Sequence, residues 1–152
     1  MKKSPLHDAL KEAEKAFFHD EVPVGAVIVD SLSGEIISSA HNEMGVRQDP
    51  TAHAELLAIQ QACAKKGQGR LEDCDLYVTL EPCPMCAQAI SFARIRRLYF
   101  GAYDPKGGGV DHGAKIFNAP SCHHSPEIIG GLEEQRCAHL LKAFFERKRR
   151  AV

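Results

Sequence analysis

No stretch of the 152-residue chain stays apolar for the roughly 20 residues that a membrane-spanning helix needs. An apolar signal core is missing too. Met1-Lys2-Lys3-Ser4-Pro5 leads into a charged helical pattern, which points to a cytoplasmic protein that keeps away from membranes. Neither sign of charge is in excess: 19 Lys and Arg against 20 Asp and Glu leave a net charge of -1. The field of the whole molecule therefore does not mark a nucleic-acid binder. Repeats, low-complexity tracts and linkers are absent, so residues 1–152 suit one domain around one core.

What is present is unevenly placed. Arg94, Arg96 and Arg97 cluster, and Arg147-Lys148-Arg149-Arg150 close the chain. Taken alone, a terminal basic run suits the dipole at a helix C-terminus, with nucleic-acid contact as the other reading. Of six cysteines, Cys63, Cys74, Cys122 and Cys137 are scattered and read as small buried hydrophobes of a reducing compartment. Cys122 stands apart, in a polar loop beside His123 and His124.

Apolar residues at three- and four-residue steps predict a helix from Leu6 to His19, started by Ser4-Pro5. Val22 to Val29 and Glu35 to Ala40 predict a hairpin, with Gly25 allowing another backbone to approach closely. A polar connection, His41 to Pro50, precedes a helix from Ala52 to Lys65 that Thr51 or Asp49 can cap. Asp75 to Leu80, Pro84 to Ala93 and Arg96 to Gly101 form a βαβ unit, which requires parallel strands. Lys106-Gly107-Gly108-Gly109 lacks the Gly-Lys-Ser/Thr ending of a nucleotide loop and reads as a plain flexible connection. A helical turn at 114–117, a short strand at 126–129 and a helix from Leu132 to Arg149 complete the chain. This order predicts a three-layer α/β/α domain with a mixed sheet.

Two runs hold the chemistry: His53-Ala54-Glu55 and Pro82-Cys83-Pro84-Met85-Cys86. They offer one imidazole and two thiolates, one short of the four protein ligands of a structural zinc site. An open fourth position is what a catalytic zinc requires, and there it activates water. Both runs fall at helix starts, where the dipole favours thiolates. Glu55 is not needed as a ligand, so it can take a proton from water and return it to a ring nitrogen and a leaving amine. A redox reading of Cys83 and Cys86 gives His53 and Glu55 no role. A structural zinc needs a fourth ligand from Cys74, Cys122, His112, His123 or His124, none of which sits at ligand spacing.

His-x-Glu with Pro-Cys-x-x-Cys is the known signature of the zinc-dependent nucleobase deaminases, which this chain resembles. The resemblance is closer to the bacterial tRNA-specific adenosine deaminases. It is carried by residues 21–27, 49–55 and 76–86, by Arg94-Ile95, by Phe100 to Gly108, and by Phe144-Phe145 with the basic residues after them. It spans about Ala9 to Arg149.

The resemblance implies a cytidine-deaminase-like fold with a five-stranded sheet, a homodimer, and one Zn2+ per subunit. It implies hydrolytic deamination of a wobble adenosine to inosine in a tRNA anticodon stem-loop. His53, Cys83 and Cys86 would hold zinc and Glu55 would shuttle protons. Asn42 would contact the base, and the backbone of Leu80 and Glu81 would face the water and amine. Asp104 and Lys106 would meet flanking nucleotides, and Phe145 would stack on a neighbouring base. It turns the basic clusters into RNA contacts and the glycine run into a substrate loop. Met44-Gly45-Val46 departs from a proline-containing segment of many relatives, and His123 from an Asn of others, both expected to border the pocket. The alternatives are a free-base or nucleoside deaminase for guanine or cytosine, and a non-catalytic zinc-stabilised RNA-binding module.

Overall fold

The computed structural model describes residues 3–151. Met1, Lys2 and Val152, which the one-domain expectation also spans, lie outside the described residues. Helix α1 runs Pro5–Phe18 and strands β1 and β2 run Gly25–Asp30 and Ile36–His41. Then follow α2 (Met44–Arg47), α3 (Ala54–Lys66), β3 (Cys74–Leu80), α4 (Pro84–Phe92) and β4 (Arg97–Ala102). A 3-10 turn at Ile116–Asn118, β5 (Glu127–Ile129) and α5 (Glu134–Arg150) complete the order. Among the described residues no helix is long and apolar enough to cross a membrane.

The sheet has five strands in the order β2-β1-β3-β4-β5. Central β1 reads almost wholly apolar because both its faces are covered. Alternate side chains part the core into two layers, as a pleat requires. Ala26, Ile28, Leu76, Val78, Leu98 and Phe100 pack with α3 and α4. Val27 and Val29 pack with Leu6, Ala9 and Leu10 of α1 and Cys137 of α5. The mixed three-layer expectation holds. The Ser4 hydroxyl accepts from the Leu6 N–H with Pro5 opening α1, as its sequence predicts.

Strand directions decide where a site can form. β2 and β3 are both antiparallel to β1, so they point the same way. β4 is parallel to β3. The C-terminal ends of β2, β3 and β4 therefore share one edge of the sheet, where ligands of open α/β sheets bind. The Arg94 to Arg97 cluster lies at the start of β4, on the opposite edge, about 20 Å away at strand rise. Its charges are also engaged. Arg96 makes a two-pronged pair with Asp75, Arg97 pairs with Glu127, and Arg94 donates to the His123 carbonyl.

Three local expectations are corrected. The polar connection contains a turn of helix, α2, too short to show as periodicity. The glycine run is not a loose connection: Gly108, Gly109 and Val110 are buried, and the Gly109 N–H donates to the Pro82 carbonyl. Half of the terminal basic run is spoken for. Arg147 donates to the Phe17 carbonyl and Asp20 and sits 4.2 Å above the Phe17 ring, and Lys148 pairs with Asp20. That clamp ties α5 to the end of α1, while Arg149 and Arg150 lie exposed beyond it.

Gly25 has the close approach its sequence predicts. A Cβ there would stand 2.0 Å from the Ala9 carbonyl oxygen and 2.6 Å from the Ala13 nitrogen, so α1 lies directly on β1. Gly25→Ala must push the helix away and should lose about 2–4 kcal/mol in urea unfolding. A loss below about 0.5 kcal/mol would contradict this contact.

Candidate active site

His53 and Cys83 both occupy the residue just before a helix, with extended backbone. Neither side chain caps its helix, because each turns toward the other. The Cys83 and Cys86 sulfurs stand 3.7 and 3.5 Å from the His53 Nδ1. A tetrahedral zinc with bonds of about 2.3 Å to sulfur and about 2.0 Å to nitrogen sets those atoms about 3.6 Å apart. All three donor atoms lie within 4.8 Å of one another, the one such group among the described residues. Their number, chemistry and spacing fit zinc.

Of the five residues named as possible closing ligands for a structural site, all but exposed His123 have other partners or places. His112 Nδ1 lies 2.8 Å from Glu81, and His124 donates to the Ile95 carbonyl. Cys122 faces Ser91 and the His124 carbonyl, and Cys74 is buried at the start of β3.

Sequence reasoning assigned the cap of α3 to Thr51 or Asp49. The structure uses Asn42 instead, whose Oδ1 accepts from the Ala54 N–H at 2.8 Å. Asp49 holds Thr51 within its own turn. A capping oxygen thus comes from across a loop, because the capping residue itself, His53, turns its ring to the two cysteine sulfurs. Asn42 is buried, and with Oδ1 engaged its amide N–H groups are what it can offer a substrate.

Glu55, in the first turn of α3, is 4% exposed. Burial pushes its carboxyl up to about 7, against the pull of hydrogen bonds to its own backbone and to Cys86. The thiols divide. A hydrogen bond from Cys86 holds Cys83 down to about 4 despite burial, and that contact, with burial, pushes Cys86 up. Contact with the Cys83 sulfur also raises His53.

A cavity of about 230 Å3 opens over this group. Of the residues predicted for the site, Asn42, His53, Glu55, Leu80, Glu81, Cys83 and Asp104 line it, and Cys86 is buried beside it. Lys106 and Phe145 line an adjoining cavity of about 850 Å3, which shares Val22, Leu80, Asp104 and Gly107 with the first. Met44 borders the first cavity as expected, and His123 does not. Val22, Val24 and Gly107 also line it; Gly107 belongs to the glycine run expected to meet substrate, while Val22 and Val24 lay in a resemblance-carrying run without being named for the site. Glu81 was expected to act through its backbone, yet its N–H is taken by the Ala102 carbonyl at 2.8 Å. Its side chain is the more telling part. Burial pushes that carboxyl up, but hydrogen bonds from Asp104, His112 and Val110 outweigh burial and hold it below its ordinary range.

With this geometry in place, the comparisons are decisive. The cytidine and deoxycytidylate deaminase zinc-binding region matches residues 2–102. The chain belongs to this family. Within the family, a tRNA-specific adenosine deaminase of Agrobacterium fabrum is 55% identical over 93% of this chain and 91% of its own length. A tRNA-specific adenosine deaminase of Bacillus subtilis is 45% identical over 95% and 89%. A structure solved in a study of A-to-I editing by tRNA:A34 deaminases at the wobble position of transfer RNA superposes with a TM-score of 0.84. It is 55% identical and aligns over 87% of this chain and 94% of that one. Zinc is thus the cofactor of this deaminase domain, and His53, Cys83 and Cys86 form a group that could hold it.

Cys83→Ala should leave less than about a tenth of an equivalent of zinc after dialysis and a lower Tm, since metal binding and folding are coupled. Metal analysis returning a full equivalent would remove Cys83 from the ligand set.

Proposed function

We propose that this chain deaminates the wobble adenosine of a tRNA anticodon stem-loop to inosine, acting as one catalytic domain. The observation that carries the chemistry is Glu55, a buried carboxyl beside three metal donors that the donor set does not consume. The names of relatives more than half identical support the choice of substrate.

Zinc, when bound, supplies Lewis-acid activation of water. The protein supplies the rest. A Glu55 Oε takes up the proton that water loses and gives it to the ring nitrogen beside C6, then carries the second proton, from the hydroxyl now on C6, to the amino group, which leaves as ammonia as the C6 carbonyl forms. Asn42 donates its amide N–H groups to acceptors on the nucleoside. With the Glu81 N–H occupied, the carbonyl oxygens of Leu80 and Glu81 are the groups that meet the departing amine. The adjoining cavity takes the flanking nucleotides, bordered by Asp104 and Lys106, with the Phe145 ring as a stacking platform. Phe145 is 44% exposed and braced edge-on by buried Phe144. Arg149 and Arg150 fit RNA phosphates better than the arginines at the far edge of the sheet do.

We infer a homodimer and a cytoplasmic location as well. Met85, Ala89 and Phe92 form one stripe of α4, the helix that bears Cys86, and Phe92 is 72% exposed. An apolar stripe so close to the site suits a second copy of the chain. Phe92→Glu is expected to yield a monomer by light scattering, and an unchanged mass would place the contact elsewhere. Fractionation that recovered the protein outside the cytoplasm would overturn its location.

Zinc-loaded protein incubated with an anticodon stem-loop bearing a wobble adenosine should yield inosine, and free adenosine, guanine and cytosine should not react. Release of ammonia from guanine or cytosine alone would favour the free-base reading. Glu55→Gln should keep its zinc and lose at least about a thousandfold in kcat. Turnover within tenfold of wild type would remove Glu55 from the proton path.

A further inference from the structure

Two buried glutamates outside the reacting group each hold a loop. Glu81 follows cavity residue Leu80, and its side chain is fully buried. Its two oxygens accept from the backbone N–H groups of Asp104, Val110, Asp111 and His112 at 2.9–3.2 Å, and the His112 ring lies at 2.8 Å. Glu21 precedes cavity residue Val22 and is 6% exposed. Its oxygens accept from the N–H groups of Gly45 and Val46 at 3.0 and 2.8 Å. The segments so held supply Asp104 and Gly107 on one side and Met44 on the other to the same cavity.

We propose that Glu81 and Glu21 are positioning residues, two carboxylate clips that set the width of the substrate entrance. A buried carboxylate demands donors, and bonds to it are about twice as strong as neutral ones. Here the donors are almost all backbone amides, from the first turn of α2 and from the loop after β4, that have no ladder partner, so each clip removes backbone freedom that binding would otherwise have to remove. The metal donors stand at the starts of α3 and α4, and the Glu81 loop meets the second of them at Gly109, whose N–H donates to the Pro82 carbonyl. Tight packing enforces the first clip: a Cβ at Gly108 would lie 2.4 Å from Glu81 Oε2. The second is close too, with a Cβ at Gly45 only 3.2 Å from Glu21 Oε2.

Glu81→Gln and Glu21→Gln conserve volume but set an NH2 group against N–H donors. The full-length zinc-loaded variants are compared with wild type by metal analysis, amide hydrogen exchange, and kinetics on the wobble-adenosine stem-loop. Zinc should stay at one equivalent. Exchange should quicken roughly tenfold or more, the size of a lost charge-assisted hydrogen bond. In Glu81→Gln this is confined to Asp104, Val110, Asp111 and His112, and in Glu21→Gln to Gly45 and Val46. KM should rise by roughly tenfold, with a smaller change in kcat.

Unchanged exchange at those amides, loss of zinc, or a fall in kcat at constant KM would overturn the proposal. Should Glu81→Gln fail to fold, Gly108→Ala disturbs the same clip without removing the carboxylate and should quicken exchange over the same amides. Only the kinetic arm rests on the proposed function. If wild type leaves the stem-loop unchanged, that reading falls, and the exchange pattern still decides the clips.

Discussion

Two helix starts converge on one edge of the sheet, and the site depends on that convergence. His53 must meet two cysteines, 30 and 33 positions later, within one bond length of a common point. That demands that α3 and α4 begin side by side. β1, antiparallel to both neighbours, aligns the ends of β2 and β3, and the parallel β3-α4-β4 unit then brings in the third strand end. Gly25 lets α1 lie against β1, which keeps that central strand covered on its second face.

The same edge sets two thiol donors and a buried carboxyl side by side. Helix N-termini favour the thiolates, while the apolar floor around Glu55 penalises its ionised form. The loops that follow β2 and β4 complete the cavity, yet neither is held by ladder bonds. Glu21 and Glu81 hold them by their backbones, leaving the side chains of Met44 and Asp104 to shape the space. The loops, and not the metal group, are where a base or an RNA context can be discriminated.

Much of this was legible in the sequence, for local reasons. His53, Glu55, Cys83 and Cys86 sit within three residues of one another in two runs, and short spacing on a helix start carries its own geometry. The strands and long helices were found because alternation and three-to-four spacing record burial directly. Contacts set by distant partners were not legible. Nothing local says that Asn42 caps α3, or that Glu81 bonds to amides 23 to 31 residues away. A buried carboxylate looks like an exposed one in a string of letters. The distance of Arg94 to Arg97 from the site follows from topology, because parallel strands that end at the site start away from it. Arg147 and Lys148 read as a free tail because Asp20, their partner, lies more than 120 positions earlier.

The central claim is a zinc held by one imidazole and two sulfurs, with its last position outside the protein. X-ray absorption at the zinc edge on the purified, zinc-loaded chain tests it most directly. The account predicts two sulfurs at about 2.3 Å and two lighter atoms at about 2.0–2.1 Å, with only one imidazole signature. A shell of three or four sulfurs, or two imidazoles with two sulfurs, would mean a closed structural site and would contradict it.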